Sequence, residues 1–243
     1  MQLDLQTIHF VMTLALLVQA AFLLYLFREH RTYQGIGWWA AGSVGLAFGM
    51  VCNQFSDVAA LRSLAAMASR ALFIGASLCY YVGVCHFFGK LANLRFLFFL
   101  WLSFVGTFGY WTFVTPDQRY SVLIFSAFIA LIDMATGRAL IHNMPTADRG
   151  PNRMIAAAFF ALAGLFGFRA AVLLLAPAGN YAPTTIVTTV ATFVVSNVWI
   201  YGFITLINQR LHQETLDSQA RFETIFQTNP DATLISQLSD GRI

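Results

Sequence analysis

Seven apolar runs, each about as long as a bilayer core is thick, occupy most of this chain, and no soluble fold has room for them. They cover residues 5–27, 36–54, 66–88, 95–114, 120–141, 154–176 and 183–207. A hydrocarbon core of about 30 Å needs roughly 20 apolar residues at the helical rise. Within that core each backbone N–H and C=O must be paired inside its own helix or in a closed barrel. The expected fold class is therefore an all-α membrane protein, a seven-transmembrane-helix bundle. Composition points the same way: 58% of residues are hydrophobic and 10% are charged, against about 25% charged in a soluble domain.

The first run reads as a retained span and not as a cleaved signal peptide. It is long enough to cross the core, and its basic cluster, Arg28 and Arg31, follows it. A signal peptide carries its basic residues before the apolar segment. The second run is the least hydrophobic, because Gly35, Gly37, Gly42, Gly45 and Gly49 dilute it. Small residues at such positions let neighbouring helices approach closely.

Loop charges set the expected direction. With the N-terminus outside, the inner loops and the start of the tail carry eight basic residues: Arg28, Arg31, Lys90, Arg95, Arg138, Arg149, Arg153 and Arg210. The outer loops carry two, Arg62 and Arg119. That bias follows the positive-inside rule, so the C-terminus is expected in the cytoplasm. The expected localisation is therefore a membrane, multi-pass. The outer loops are short, which leaves no extracellular domain for a large ligand. The net charge of +3 is distributed by topology and forms no nucleic-acid patch. No paired broken helices of the kind found in many secondary transporters can be read.

After Asn208 the chain turns polar, and from Gln209 to Thr228 it contains neither Gly nor Pro. A continuous helix is expected to leave the membrane here. Ile204, Ile207, Leu211, Glu214 and Ser218 recur near a three-four spacing, a weak coiled-coil pattern through which two copies can pair as a homodimer. Beyond it, Asn229-Pro230 stops a helix, residues 232–236 suit a strand, and Asp240-Gly241 favours a tight hairpin.

Residues 222–243 resemble the beginning of a PAS domain. The resemblance is carried by Phe222, Ile225, Phe226, Pro230, Asp231, Ala232, Ile235, Asp240 and Gly241. It implies three parts: a transmembrane sensor domain at 1–207, a cytoplasmic linker helix at 208–221, and an incomplete PAS domain at 222–243. The seven-span layout is also similar to bacterial membrane-associated sensor regions that feed PAS domains and then a diguanylate cyclase or a histidine kinase. That similarity implies a localisation in a bacterial inner membrane and an input domain for a small or lipid-soluble stimulus, with the cyclase favoured as output. No phospho-accepting His box, ATP-binding Gly motif or Gly-Gly-Asp/Glu-Glu-Phe sequence is present in these residues. Two other classes remain open: a transporter or channel with a regulatory tail, and a passive anchor for an output enzyme.

Charges within the spans are the candidate functional residues, because burying them in lipid is costly. Arg70 and Arg169 both fall in the expected outer half and form a candidate binding site for a small anionic or amphipathic ligand. The alternative for each is to snorkel to lipid phosphate. Asp133 and Asn197 fall at one depth and form a candidate interhelical polar link, whether a switch or a static bond. No cofactor or metal is expected. A rhodopsin holds retinal on a lysine of its seventh span, whereas the single lysine here, Lys90, ends the third. Cys79, Cys85 and His86 lack haem-attachment spacing, and Cys52, Cys79 and Cys85 lack zinc spacing. Membrane lipid is the remaining expected partner.

Overall fold

The computed structural model describes residues 5–30, 34–143, 149–175 and 182–228. Seven α-helices account for nearly all of them: α1 Leu5–Glu29, α2 Ile36–Gln54, α3 Arg62–Phe87, α4 Leu94–Gly109, α5 Gln118–His142, α6 Arg149–Leu175 and α7 Ala182–Thr228. All seven are long and apolar enough to cross a membrane once the π-helical turn Tyr110–Val114 that extends α4 is included. No strand occurs among the described residues. Of the PAS-like segment, Phe222, Ile225 and Phe226 lie on the end of α7, while Pro230, Asp231, Ala232, Ile235, Asp240 and Gly241 lie outside the described residues.

Helix ends follow local chemistry. Gly89, at φ 69°, terminates α3: Lys90 N–H reaches Cys85 O at 2.8 Å and Gly89 N–H reaches His86 O at 3.0 Å. This is the left-handed glycine cap that satisfies the last carbonyls of a helix. The Asn93 side chain accepts from Phe96 N–H at 3.2 Å to open α4. The Asp117 carboxylate accepts from Arg119 and Tyr120 N–H, at 2.8 and 3.4 Å, to open α5. Both are N-cap bonds to otherwise orphaned amides.

Neighbours in the bundle follow chain order with one exception. α1 packs on α2, α2 on α3, α3 on α5 and α5 on α6. α6 meets α7 through Phe159 and Trp199, whose ring centroids are 4.9 Å apart. α7 meets α1 where Gln19 Nε2 donates to Asn197 Oδ1 at 2.8 Å. Six helices thus close a ring. α4 stands outside it against α3 and α5, tied by Trp101 Nε1 donating to Ala71 O at 2.9 Å. Much of its surface, including Phe96, Phe98, Phe99 and Leu102, is exposed, as a lipid-facing helix requires.

The α2–α3 seam is a close approach of two helices. A Cβ on Gly83 would collide with the Trp39 ring, and one on Gly42 would lie 3.0 Å from Ala76 O. Gly35, at φ 104°, would place a Cβ 2.5 Å from Gly83 O. Trp39 is fully buried and packs on Phe87 with centroids 5.1 Å apart. Ser43 and Tyr80 share a 2.8 Å hydrogen bond across the same seam.

The chain divides into two compact units between Ile200 and Tyr201. In the second unit every residue from His212 to Phe226 is exposed, and Leu216, Phe222, Ile225 and Phe226 are apolar among them.

Candidate ligand-binding site

The ring surrounds an open cavity of about 410 Å³, within the roughly 300–1,000 Å³ range of small-molecule sites. Side chains from α1, α2, α3, α5, α6 and α7 line it, and none from α4. Three of the four candidate residues face it: Arg70, Arg169 and Asp133.

Arg70 and Arg169 stand at similar depth. Arg70 follows the start of α3 by eight residues, Arg62 to Arg70, which places it about 12 Å along the helix. Arg169 precedes the end of α6 by six residues, Arg169 to Leu175, or about 9 Å. Arg70 is deeper than the sequence suggests, because α3 begins at Arg62 and not at residue 66. Arg70 Nη1 donates to Asn53 Oδ1 at 3.1 Å and to Ser69 Oγ at 3.0 Å. Its guanidinium carbon lies 5.1 Å from the centre of the Phe125 ring, a cation–π distance. Arg169 Nη2 donates to Thr185 Oγ1 at 3.0 Å, and its buried Nε has no partner. Neither guanidinium has a carboxylate partner among the described residues.

Asp133 lies deeper, fifteen residues from Gln118 and about 22 Å along α5. It is 2% exposed, and no described residue donates to it. Asn197 takes Gln19 as its partner and not Asp133: Gln19 Nε2 donates to Asn197 Oδ1, and Asn197 Nδ2 donates to Phe193 O at 2.7 Å. The expected α5–α7 link is therefore replaced by an α1–α7 link. Depth along a helix follows from residue count alone, but the rotation of α7 turns Asn197 toward α1.

A row of hydroxyls on α7 completes the wall: Thr185, Thr188, Thr189, Thr192 and Ser196. Residues three and four apart share a helix face, and this recurrence within an apolar run is the sequence signal by which the row is recognisable. Thr192 Oγ1 donates to Thr188 O at 2.7 Å and Ser196 Oγ to Phe193 O at 2.8 Å. Their protons are thereby committed to the backbone, and their oxygens are left to accept. Opposite this row, between the arginines and Asp133, the α3, α5 and α6 walls are apolar, with Phe73, Phe125, Ile129, Leu162 and Phe166. Trp199 lies at the deep level with its indole held between Tyr80 and Phe159, at centroid distances of 4.7 and 4.9 Å. Its buried Nε1 has no acceptor.

Arg119, a loop charge by sequence, serves another purpose. Its Nε donates to Leu173 O at 2.8 Å and its Nη2 to Leu174 O at 3.1 Å. It thus satisfies carbonyls at the last turn of α6 from the first turn of α5, as basic side chains do at helix C-termini.

No protein-family model matches the chain, and no curated protein or solved structure matches it.

Proposed function

We propose that this chain is the membrane-embedded input domain of a bacterial inner-membrane signalling protein. A small anionic or amphipathic stimulus enters the cavity, and α7 relays its presence to a cytoplasmic PAS domain beginning at residue 222. An output enzyme follows, a diguanylate cyclase in preference to a histidine kinase. The observation that carries this reading is the course of α7: residues 185–199 contribute a wall of the cavity, and the same helix extends to Thr228. A ligand moves such a helix only by binding one of its arrangements better than another. Five hydroxyl-bearing residues on α7 provide contacts that change when the helix turns or slides.

The direction across the membrane rests on the eight-to-two basic bias, N-terminus outside and C-terminus cytoplasmic. A reporter fused after Arg149 is expected in the cytoplasm and one after Asn180 outside. Both on one side would break the seven-span topology. Homodimerisation through the linker helix is supported by exposed Phe222 and Ile225, which continue the three-four spacing of Leu211 and Ser218.

Spin labels at Leu216, in a chain whose Cys52, Cys79 and Cys85 are replaced by Ser, test the relay. With the protein in lipid nanodiscs, saturating decanoate is expected to shift the label-to-label distance distribution across the dimer. Bound decanoate with an unchanged distribution would leave a passive anchor. Decanoate accumulating inside protein-containing vesicles, and not in empty ones, would make the chain a transporter.

A further inference from the structure

On its α3, α5 and α6 walls the cavity is polar at two levels and apolar between them, with the α7 hydroxyls running alongside, and the two levels want opposite things of a ligand. At the shallow level stand charged donors, Arg70 and Arg169, whose only side-chain hydrogen-bond partners among the described residues are the neutral Asn53, Ser69 and Thr185. Two guanidiniums facing one space suit a carboxylate or phosphate, which each can grip with paired N–H groups. At the deep level stand acceptors. Asp133 is 2% exposed with no donor from the described residues, and Ser196 offers an oxygen whose proton is already used. Donors are present there as well: the unpartnered Trp199 Nε1 and the hydroxyl of Ser77, fifteen residues into α3 and so at about the depth of Asp133. The intervening Phe73, Phe125, Ile129, Leu162 and Phe166 provide no polar contact.

We infer that the cavity selects a bipolar amphiphile, with an anionic head at Arg70 and Arg169, an apolar linker, and a hydroxyl at Asp133. This rests on reading the cavity as a ligand site. A plain alkyl end would bury against Asp133 and leave its oxygens unpaired, which is unfavourable for any buried polar group. A second carboxylate would bring a charged group, with no cation to meet it, into the buried space around Asp133. An ammonium satisfies Asp133 but only donates, whereas a hydroxyl donates and accepts and so answers both Asp133 and Trp199. The helix positions separate the two levels by about 10–13 Å. At about 1.2 Å per bond in an extended chain, a linker of roughly eight to ten bonds covers that interval.

The test is equilibrium displacement of radiolabelled ω-hydroxydecanoate from the intact chain in nanodiscs, with empty nanodiscs as the partition blank. The competitors are decanoate, decanedioate, and the shorter pair hexanoate and ω-hydroxyhexanoate. The hydroxy acid is expected to bind about tenfold more tightly than decanoate, the size of satisfying one buried polar group. Decanedioate should compete least of the ten-carbon acids. The hydroxyl advantage should vanish in the six-carbon pair, which is too short to reach Asp133. Asp133→Asn should shrink the advantage and admit decanedioate, with decanoate unaffected.

Equal affinity for decanoate and its hydroxy acid overturns the inference while leaving an anion site standing, and so does a hydroxyl advantage in the six-carbon pair. Absence of acid binding above the blank overturns both the inference and the ligand-site reading. Bound hydroxy acid that leaves the Leu216 label distances unchanged overturns the relay alone. The chain-length series on the unaltered protein decides the matter even where Asp133→Asn does not fold.

Discussion

The two sides of α3 face opposite kinds of packing. Toward α2 its contacts are made by Ala76, Gly83 and backbone carbonyls against Gly35, Gly42 and Gly45, so that the two helices almost touch. Toward the cavity it presents Arg70, Phe73 and Ser77, of which Arg70 also bonds Asn53 and Phe73 also meets Gly49 of α2. In a membrane, helices gain little by hiding apolar surface from one another, since lipid is apolar too; close packing and interhelical hydrogen bonds do the holding. The seam uses that route and becomes a firm wall. The cavity withholds it, and its polar groups are left available. One helix thus stands between a close-packed seam and the wall of a cavity.

Adding bulk to each side should break that comparison most sharply. Gly83→Val drives side-chain atoms into Trp39 and the backbone opposite. Overpacking of this kind costs about 1–3 kcal/mol, occasionally more, and a large fall in folded, monodisperse protein after detergent extraction is expected. Ser77→Leu, on the same helix but lining the cavity, should leave yield and thermal midpoint nearly unchanged while decanoate binding falls about tenfold or more, as expected when a ligand loses space in its pocket. Equal damage from both would mean that the cavity is as tightly determined as the seam.

Charge sharpens the contrast further. Arg169→Gln is expected to weaken decanoate binding by about tenfold or more, the effect of removing a charge-assisted bond. Arg169→Lys should fall between, because it keeps the charge and loses the planar fork. Membrane yield should stay level in both variants. Normal binding by both would return the arginines to lipid-facing or structural roles. The smallest effect should come from Gln19→Leu, which removes the donor to Asn197. Interhelical hydrogen bonds in membranes average about 0.6 kcal/mol, so the thermal midpoint should drop by no more than a few degrees.

Hydropathy makes the seven helices legible because a bilayer imposes a length on every span regardless of its neighbours. It also singles out Arg70, Asp133 and Arg169, since a charge inside an apolar run stands out whatever it contacts. It does not reveal partners. Asn197 bonds to Gln19 because of how α1 and α7 are rotated about their axes, and rotation is fixed by packing far away in the chain. The α7 hydroxyls are easily passed over because threonine is nearly neutral in hydropathy, and only its recurrence with serine at residues 185, 188, 189, 192 and 196 marks a face. Arg119 reads as a loop charge because nothing local announces that the end of α6 lies beside it. The glycines of α2 are legible as a close-packing face, but Trp39, Gly83 and Ala76, which meet in the same seam, are not.

The ring of six helices has a consequence for the order in which the protein is made. Synthesis proceeds from the N-terminus at roughly 5–20 residues per second, so α1 is in the membrane well before α7 exists. The seam between α2 and α3 involves only early helices and can form while the ribosome is still working. The last wall of the cavity arrives with α7, and so do Thr185 for Arg169 and Asn197 for Gln19. A nascent chain that stalls before residue 182 therefore carries a finished wall and an unclosed chamber, with Arg70, Asp133 and Arg169 already committed to the bilayer. Such a chain is the kind that membrane quality control has reason to find and destroy.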